Sequence, residues 1–291
     1  MVFGVLRIFC LFILTLSFLS LPSQVAFAED SSPPALKDAD NTNANNPGEA
    51  TAPKQETPTV PAGGIADYDY HDLIPSVYFK PVIKIVPDAC DDKELVSMLS
   101  PEGKELEKMC LKDFKRCLME GSCFVVRENS LKSYNYHSCV DSRSRFVEDD
   151  LGQCPYGYGV YRSCLDPYFT VAADRRYYKS GDVIFVPKLV GIELPGGAIH
   201  DGFFIVRDIG NKIKGPRRFD FYTGIYTHLS EKNTIAKEGF ADYSNRFRFR
   251  RATQQESEQV LHLRNYPGLT KEVLEGAKDI DLDGVSFGGL F

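Results

Sequence analysis

The sequence predicts a mainly β protein with a small helical, disulfide-stapled segment before the β region and short helices after it. Three observations carry that class. From Cys123 onward the pattern turns β, with CFVVREN, SYNYHSCV, TVAAD and GDVIFVPKLV as strand candidates. A 3.6-residue apolar period occurs before that region, and a capping box opens a helix at Thr253. Seven cysteines lie between positions 90 and 164 of a chain that begins like an exported protein, where disulfides are the expected use.

The N-terminus, MVFGVLRIFCLFILTLSFLSLPSQVAFA, has one early charge, Arg7, then an apolar run and a small-x-small Ala26-Phe27-Ala28 ending. Residues 1–28 therefore read as a secretory signal peptide, and the mature protein as periplasmic or secreted. No later stretch is long and apolar enough to span a bilayer, so no stable membrane insertion is expected after cleavage. Residues 29–72 carry nine acidic and two basic side chains and almost no large aliphatics, which predicts a disordered linker. DYDYHD at 67–72 has a second reading, an early contact segment. The remainder is near neutral, so no nucleic-acid partner is expected.

Residues 73–121 read as a small α/β segment. SVYFKPVIKIV (76–86) alternates as one or two short strands broken at Pro81. Ser100 is a fitting N-cap with Pro101 at the first helical position, and Gly121 is a stop. On that helix Cys110 and Cys117 would lie ~10 Å apart at ~1.5 Å per residue. Disulfides need Cα atoms within ~7 Å, so each is expected to bond elsewhere, stapling the helix to the next domain. The disulfide candidates are Cys90, Cys110, Cys117, Cys123, Cys139, Cys154 and Cys164.

Residues 122–252 read as the β domain. CFVVREN and SYNYHSCV are strands, 141–153 a polar loop, and TVAAD and GDVIFVPKLV further strands. A glycine-rich loop leads to GFFIVRDIGNKIKGPRRFDFYTG (202–224), two strands each carrying an aspartate. A short helix is placed at 228–237. In SNRFRFRRA, Phe247 and Phe249 face the core, and Arg246, Arg248 and Arg250 form a solvated face. Thr253 to Glu256 is a capping box for a helix to about Asn265, with another helix at 270–277 in the 253–291 tail.

The chemistry concentrates in Asp174, Asp208 and Asp220. Alternation places Arg218, Asp220 and Tyr222 on one face of a strand, opposite Phe219 and Phe221. It places Asp208 with Phe204 and Val206 at the end of a largely apolar strand. Apolar surroundings and a neighbouring carboxylate both raise a carboxyl pKa, and a carboxyl still protonated near neutrality can act as general acid on a glycosidic oxygen.

TVAADRRYYKSGDVIFVP followed by DGFFIVRDIGNKIKGPRRFDFYTG resembles the three-aspartate (3D) domain, which also forms the catalytic barrel of membrane-bound lytic murein transglycosylase A. The matching positions are Asp174, Gly181 through Pro187, Asp208, Gly210, Ile213, Lys214, Gly215, Asp220, Tyr222 and Gly224. The resemblance implies a six-stranded double-psi β-barrel, its first strand near 123–138. It implies peptidoglycan glycan strands as partner, and cleavage of the MurNAc–GlcNAc bond with formation of 1,6-anhydro-MurNAc. Carried over by position, Asp220 is the acid/base and Asp208 orients it. Asp174, Lys214, Arg218 and Tyr222 are substrate-binding candidates. The other reading is a non-catalytic barrel that grips cell-wall glycan. In the family a second lobe completes the substrate groove; none is apparent in this sequence. No cofactor and no metal are called for: DIDLDG (279–284) starts like a calcium loop but has Leu290 at position 12, so it reads as an acidic turn.

Overall fold

The computed structural model describes residues 69–86, 90, 94–127, 130–210 and 212–278. The signal-peptide reading, most of the linker and the acidic turn at 279–284 lie outside the described residues. Among the described residues, twelve strands run in chain order. They are β1 (His71–Tyr78), β2 (Val82–Lys84), β3 (Leu95–Leu99), β4 (Glu105–Cys110), β5 (Ser122–Arg127), β6 (Ser130–Val140), β7 (Arg143–Asp149), β8 (Thr170–Ala173), β9 (Val183–Phe185), β10 (Phe203–Ile209), β11 (Arg218–Tyr222) and β12 (Phe247–Arg251). The helices are α1 (Leu111–Glu120), α2 (Gln254–Leu263) and α3 (Lys271–Lys278).

Six strands close a barrel in the order β1-β11-β8-β10-β9-β12. Pairings β1/β11 and β8/β10 are parallel and the others antiparallel, the mixture a double-psi barrel requires. Its interior is built by alternation: Leu73, Val171, Ala173, Phe204, Val206, Phe219, Phe221 and Phe249 meet in one buried cluster. Edge-to-face ring contacts such as Phe204–Phe221 and Phe219–Phe249, with centroids 4.8 and 5.0 Å apart, fill its centre.

The barrel's first strand is β1, not the 123–138 region. His71 and Asp72 already pair with Phe249 and Arg248 of β12, so the contact reading of DYDYHD holds for those two residues. After β1 the chain leaves the barrel and builds a second six-stranded sheet, β2-β5-β6-β7-β3-β4, before returning at β8. The sequence reading assigned these strands partly to a small segment and partly to the barrel, and saw no second lobe. The reason is topological. β2 pairs with β5 across 42 positions and β3 with β7 across 46, pairings that local pattern cannot announce.

Two elements of this lobe differ from expectation. The helix does not start at Pro101. Pro101, Glu102 and Gly103 (φ +86°) instead turn a β3–β4 hairpin, with the Ser100 hydroxyl accepting from Lys104 N–H. Leu106 and Met109 fit a helical period, but in β4 it is Glu107 and Met109 that point inward. The helix is only α1, and Gly121 ends it in the left-handed conformation at φ +75°. The expected loop at 141–153 contains β7; Asp141 and Ser142, both at positive φ, turn the chain back from β6.

Disulfides join Cys90–Cys110, Cys117–Cys123 and Cys154–Cys164. Cys110 and Cys117 bond elsewhere, as spacing requires, but Cys117–Cys123 staples α1 to β5 inside the inserted lobe rather than to the barrel. In β12, Arg250 is buried and gives a two-pronged ion pair to Glu256 at 2.7 Å, so the arginine row is not a uniformly solvated face. The capping box of α2 forms as the sequence predicts. The helical turns expected at 228–237 fall later, at Ala236–Phe240 and just before.

Lys80 sits where the chain crosses from barrel to lobe. It is fully buried, bonded to Ser133 and 3.6 Å from Asp149. Burial pushes its ammonium down to about 8, against the pull of Asp149. Lys80→Met is expected to strand the Asp149 charge and cost about 3–5 kcal/mol, read as a lower urea midpoint. A double Lys80→Met/Asp149→Asn variant should recover most of that loss.

Candidate active site

Four adjacent barrel strands place four side chains in one row on the outer face. Ser76 of β1 is paired with Asp220 of β11, Asp220 with Ala172 of β8, and Ala172 with Asp208 of β10. Strands are ~4.8 Å apart, so the two aspartate backbones stand ~10 Å apart across Ala172. The small residue between them leaves the carboxyls room to converge above β8.

Asp208 reaches this face because of a bulge. The β10–β8 register shifts between Val206 and Asp208, so Val206 faces Val171 and Asp208 faces Ala172. Simple alternation grouped Phe204, Val206 and Asp208 on one face. The extra residue, Arg207, sends Phe204 and Val206 into the barrel and Asp208 out of it. For β11 no bulge intervenes, and Arg218, Asp220 and Tyr222 share the outer face as alternation predicts.

Both carboxyls are partly exposed, and among the described residues neither is in an ion pair. Asp220 accepts a hydrogen bond from the Ser76 hydroxyl. Desolvation raises its pKa, offset by that bond and by the charge of Arg218. Asp208 accepts from Tyr78 Oη at 3.0 Å and from its neighbour Ile209 N–H at 2.8 Å. Burial, with Asp220's charge added, pushes Asp208 up to about 6. The Tyr78 phenol is itself held well above its ordinary value by burial and by the charge of Asp208. The charge of Asp220 thus reaches Asp208, and both carboxyls resist ionisation.

The remaining sequence candidates separate. Arg218 donates to Ile74 O, Phe219 O and the Ser76 hydroxyl, so it organises Ser76 rather than presenting a free cation. Tyr222 is buried, its hydroxyl on Tyr156 O, and offers no face for a sugar. Asp174 is also buried. Arg176 and the Gly215 N–H occupy its carboxylate and hold its pKa far down, so it fastens the β10–β11 connection to the end of β8. Lys214 is exposed on a cavity of ≈ 200 Å³ that Asp174, Arg175, Arg176 and Ile213 also line. That cavity adjoins the row, since Ala173 and Ile209 line it too, but Asp220 does not. His200 is buried rather than at a cleft mouth; its ring bridges Tyr168 O and Gly202 N–H.

Sequence reasoning missed Ser76 and Tyr78. Their spacing copies that of Asp220 and Tyr222, but only a parallel β1–β11 pairing makes this meaningful. Among the described residues no group of His, Cys, Asp and Glu is arranged to hold a metal ion.

Residues 169–237 match the 3D domain family. No curated protein matches the chain. Among solved structures, the chain is similar to Escherichia coli MltA with bound chitohexaose, at 14% identity over 61% of this chain and 70% of that one, TM-score 0.43. It is similar to a membrane-bound lytic murein transglycosylase from Agrobacterium tumefaciens at 13% identity, over 63% and 75%, TM-score 0.41. MltA from Neisseria gonorrhoeae gives 12% identity, 62% and 71%, and 0.38. The chain carries a 3D domain on a closed six-stranded barrel and resembles membrane-bound lytic murein transglycosylase A.

Proposed function

We propose that the protein is an exported lytic transglycosylase that cleaves the MurNAc–GlcNAc bond of peptidoglycan and leaves a 1,6-anhydro-MurNAc end. The observation that carries this reading is the row Ser76–Asp220–Ala172–Asp208, two carboxyls with raised pKa values on one partly exposed barrel face. The 3D-domain match, which covers β8, β10 and β11 of that row, supports it.

Asp220, protonated, gives its proton to the glycosidic oxygen as the C1–O bond breaks, and GlcNAc leaves with a free hydroxyl. The resulting carboxylate takes the proton of the MurNAc 6-hydroxyl, whose oxygen closes on C1. The cycle ends with Asp220 protonated again, without water or a separate nucleophile. Ser76, fixed by Arg218, points the Asp220 carboxyl, and Asp208 lies beside it on the same face. Lys214, Arg175 and the cavity they line are positioned to meet the acidic lactyl-peptide of the glycan.

Digestion of purified sacculi by the mature protein tests this. Anhydro-muropeptides by mass spectrometry are the expected product. Reducing-end products would make the protein a hydrolase instead, and co-sedimentation with sacculi without cleavage would make it a glycan-binding barrel.

A further inference from the structure

Tyr222 is too buried to meet a sugar, but a second tyrosine stands beside the row with its ring open. The Arg218 guanidinium covers one face of the Tyr243 ring, 4.6 Å from its centroid. Tyr243 is nevertheless 63% exposed, so the other face is open to solvent. The same guanidinium donates to the Ser76 hydroxyl at 2.7 Å, and Ser76 bonds Asp220. Ring and row are thus joined through one side chain. Arg218 lies two positions before Asp220 on β11, which is ~7 Å at ~3.4 Å per residue. The loop that carries Tyr243 leads into β12, the neighbour of β1, so the ring flanks the row at its Ser76 end.

The loop fixes that ring in place. Its ends are anchored by Phe240 and Phe247, whose rings stack with centroids 4.1 Å apart against the barrel core. Between them, Asn245 Nδ2 donates to Gly239 O at 2.9 Å, and Arg246 Nη1 donates to Tyr243 O and Asn245 O, each at 2.7 Å. Asp242 accepts from the N–H and the hydroxyl of Ser244 at 2.8 and 2.7 Å. The Tyr243 backbone is therefore set before any ligand arrives, and a tyrosine has few torsions left to order, so little entropy is lost on binding. Arg218, Arg246 and Asp242 are spent on these bonds. What the loop offers is an aromatic face and a phenol rather than a free charge. That suits an uncharged ligand with an apolar face and a hydroxyl rim, which is the chemistry of a pyranose ring.

We propose that Tyr243 is a glycan-binding platform of this site, its open face stacking on an N-acetylhexosamine ring that flanks the bond to be cut. The acidic lactyl-peptide goes the other way, to the cavity of Lys214 and Arg175, which adjoins the row at Ala173 and Ile209. Tyr243 lies outside the stretch that matches the 3D domain, so the platform belongs to this chain's own loop. The inference rests on the transglycosylase reading for which bond the sugar flanks, but not for whether the sugar stacks.

The chain has no tryptophan, so Tyr243→Trp puts a single fluorescent ring at the platform. Titrating the full mature chain carrying Tyr243→Trp with chitohexaose should give a saturable change in emission, and a soluble stem peptide should give none. Tyr243→Ala should weaken chitohexaose binding about tenfold by calorimetry and raise KM for sacculus digestion by about the same factor. Its kcat should stay within about twofold, because Arg218 keeps its bonds to Ile74 O, Phe219 O and Ser76. Tyr243→Phe, which keeps the ring, should recover most of the loss. Emission that chitohexaose leaves unmoved, or that only the peptide moves, overturns the platform. So does a fall in kcat at unchanged KM in Tyr243→Ala, which would make the ring a strut for Arg218. A saturable emission change with no anhydro-product from the wild type leaves the platform standing and overturns the transglycosylase reading instead.

Discussion

Asp220→Asn is expected to reduce release of anhydro-muropeptides by about 10³-fold or more while leaving the fold intact. The size follows from double use. The same carboxyl donates a proton to the leaving oxygen and then accepts one from the 6-hydroxyl, and each kind of transfer is worth about 10²–10⁴ in rate. An amide can do neither. It is isosteric, and its oxygen can still accept from Ser76, so the β1–β11 pairing has no reason to change. Asp208→Asn removes only a neighbour and is expected to slow the reaction less, by 10- to 100-fold. The pH dependence separates the two. In Asp220→Asn the charge that helps push Asp208 up to about 6 is gone, so Asp208 should ionise at lower pH. If Asp220→Asn keeps a tenth of the wild-type activity, Asp220 is not the acid/base.

The strands of this site were legible because they follow local rules. Phe219–Asp220–Phe221 alternates cleanly, and the structure puts each side chain where period two puts it. The Thr253 capping box is equally local, two reciprocal bonds within four residues. What failed to show was non-local. Ser76 acquires meaning only beside Asp220, 144 positions away, through a parallel β1–β11 pairing. Local rules also misled where two periods coincide. Leu106 and Met109 satisfy a helix, yet the turn at Gly103 lets the same stretch pair as β4 with β3. Tyr222 looked like a sugar platform from its place beside Asp220. Its burial is decided by Tyr78, whose ring lies 5.0 Å away, and by Tyr156 from a distant loop.

The bulge at Arg207 is the most demanding of these non-local features, and Arg207→Met is expected to be as destabilising as Lys80→Met, at about 3–5 kcal/mol. Arg207 is fully buried. One guanidinium nitrogen donates to the carbonyls of Cys164, Pro267 and Gly268 at 2.8–3.1 Å, the other to Arg264 O at 3.3 Å. These carbonyls belong to the loop before β8 and to the chain after α2, so one side chain ties both to β10. Met matches much of the volume but leaves four carbonyls without that donor, and it leaves buried Asp166, whose charge partly offsets the cost of burying Arg207, without this cation. The backbone of the bulge is held separately. The Arg207 carbonyl accepts from Ser163 Oγ at 2.9 Å, and Gly159 lies so close that a Cβ there would fall against that carbonyl. Gly159→Ala is therefore the complementary variant: it disturbs the bulge without touching the guanidinium. In Gly159→Ala, β10 is free to relax toward regular pairing, which would turn Asp208 from the Ala172 face toward the barrel interior. Urea denaturation reads the stability of each. If Arg207→Met unfolds within 1 kcal/mol of wild type, the carbonyl cluster does not depend on the guanidinium; if Gly159→Ala keeps full activity, the orientation of Asp208 does not depend on the bulge.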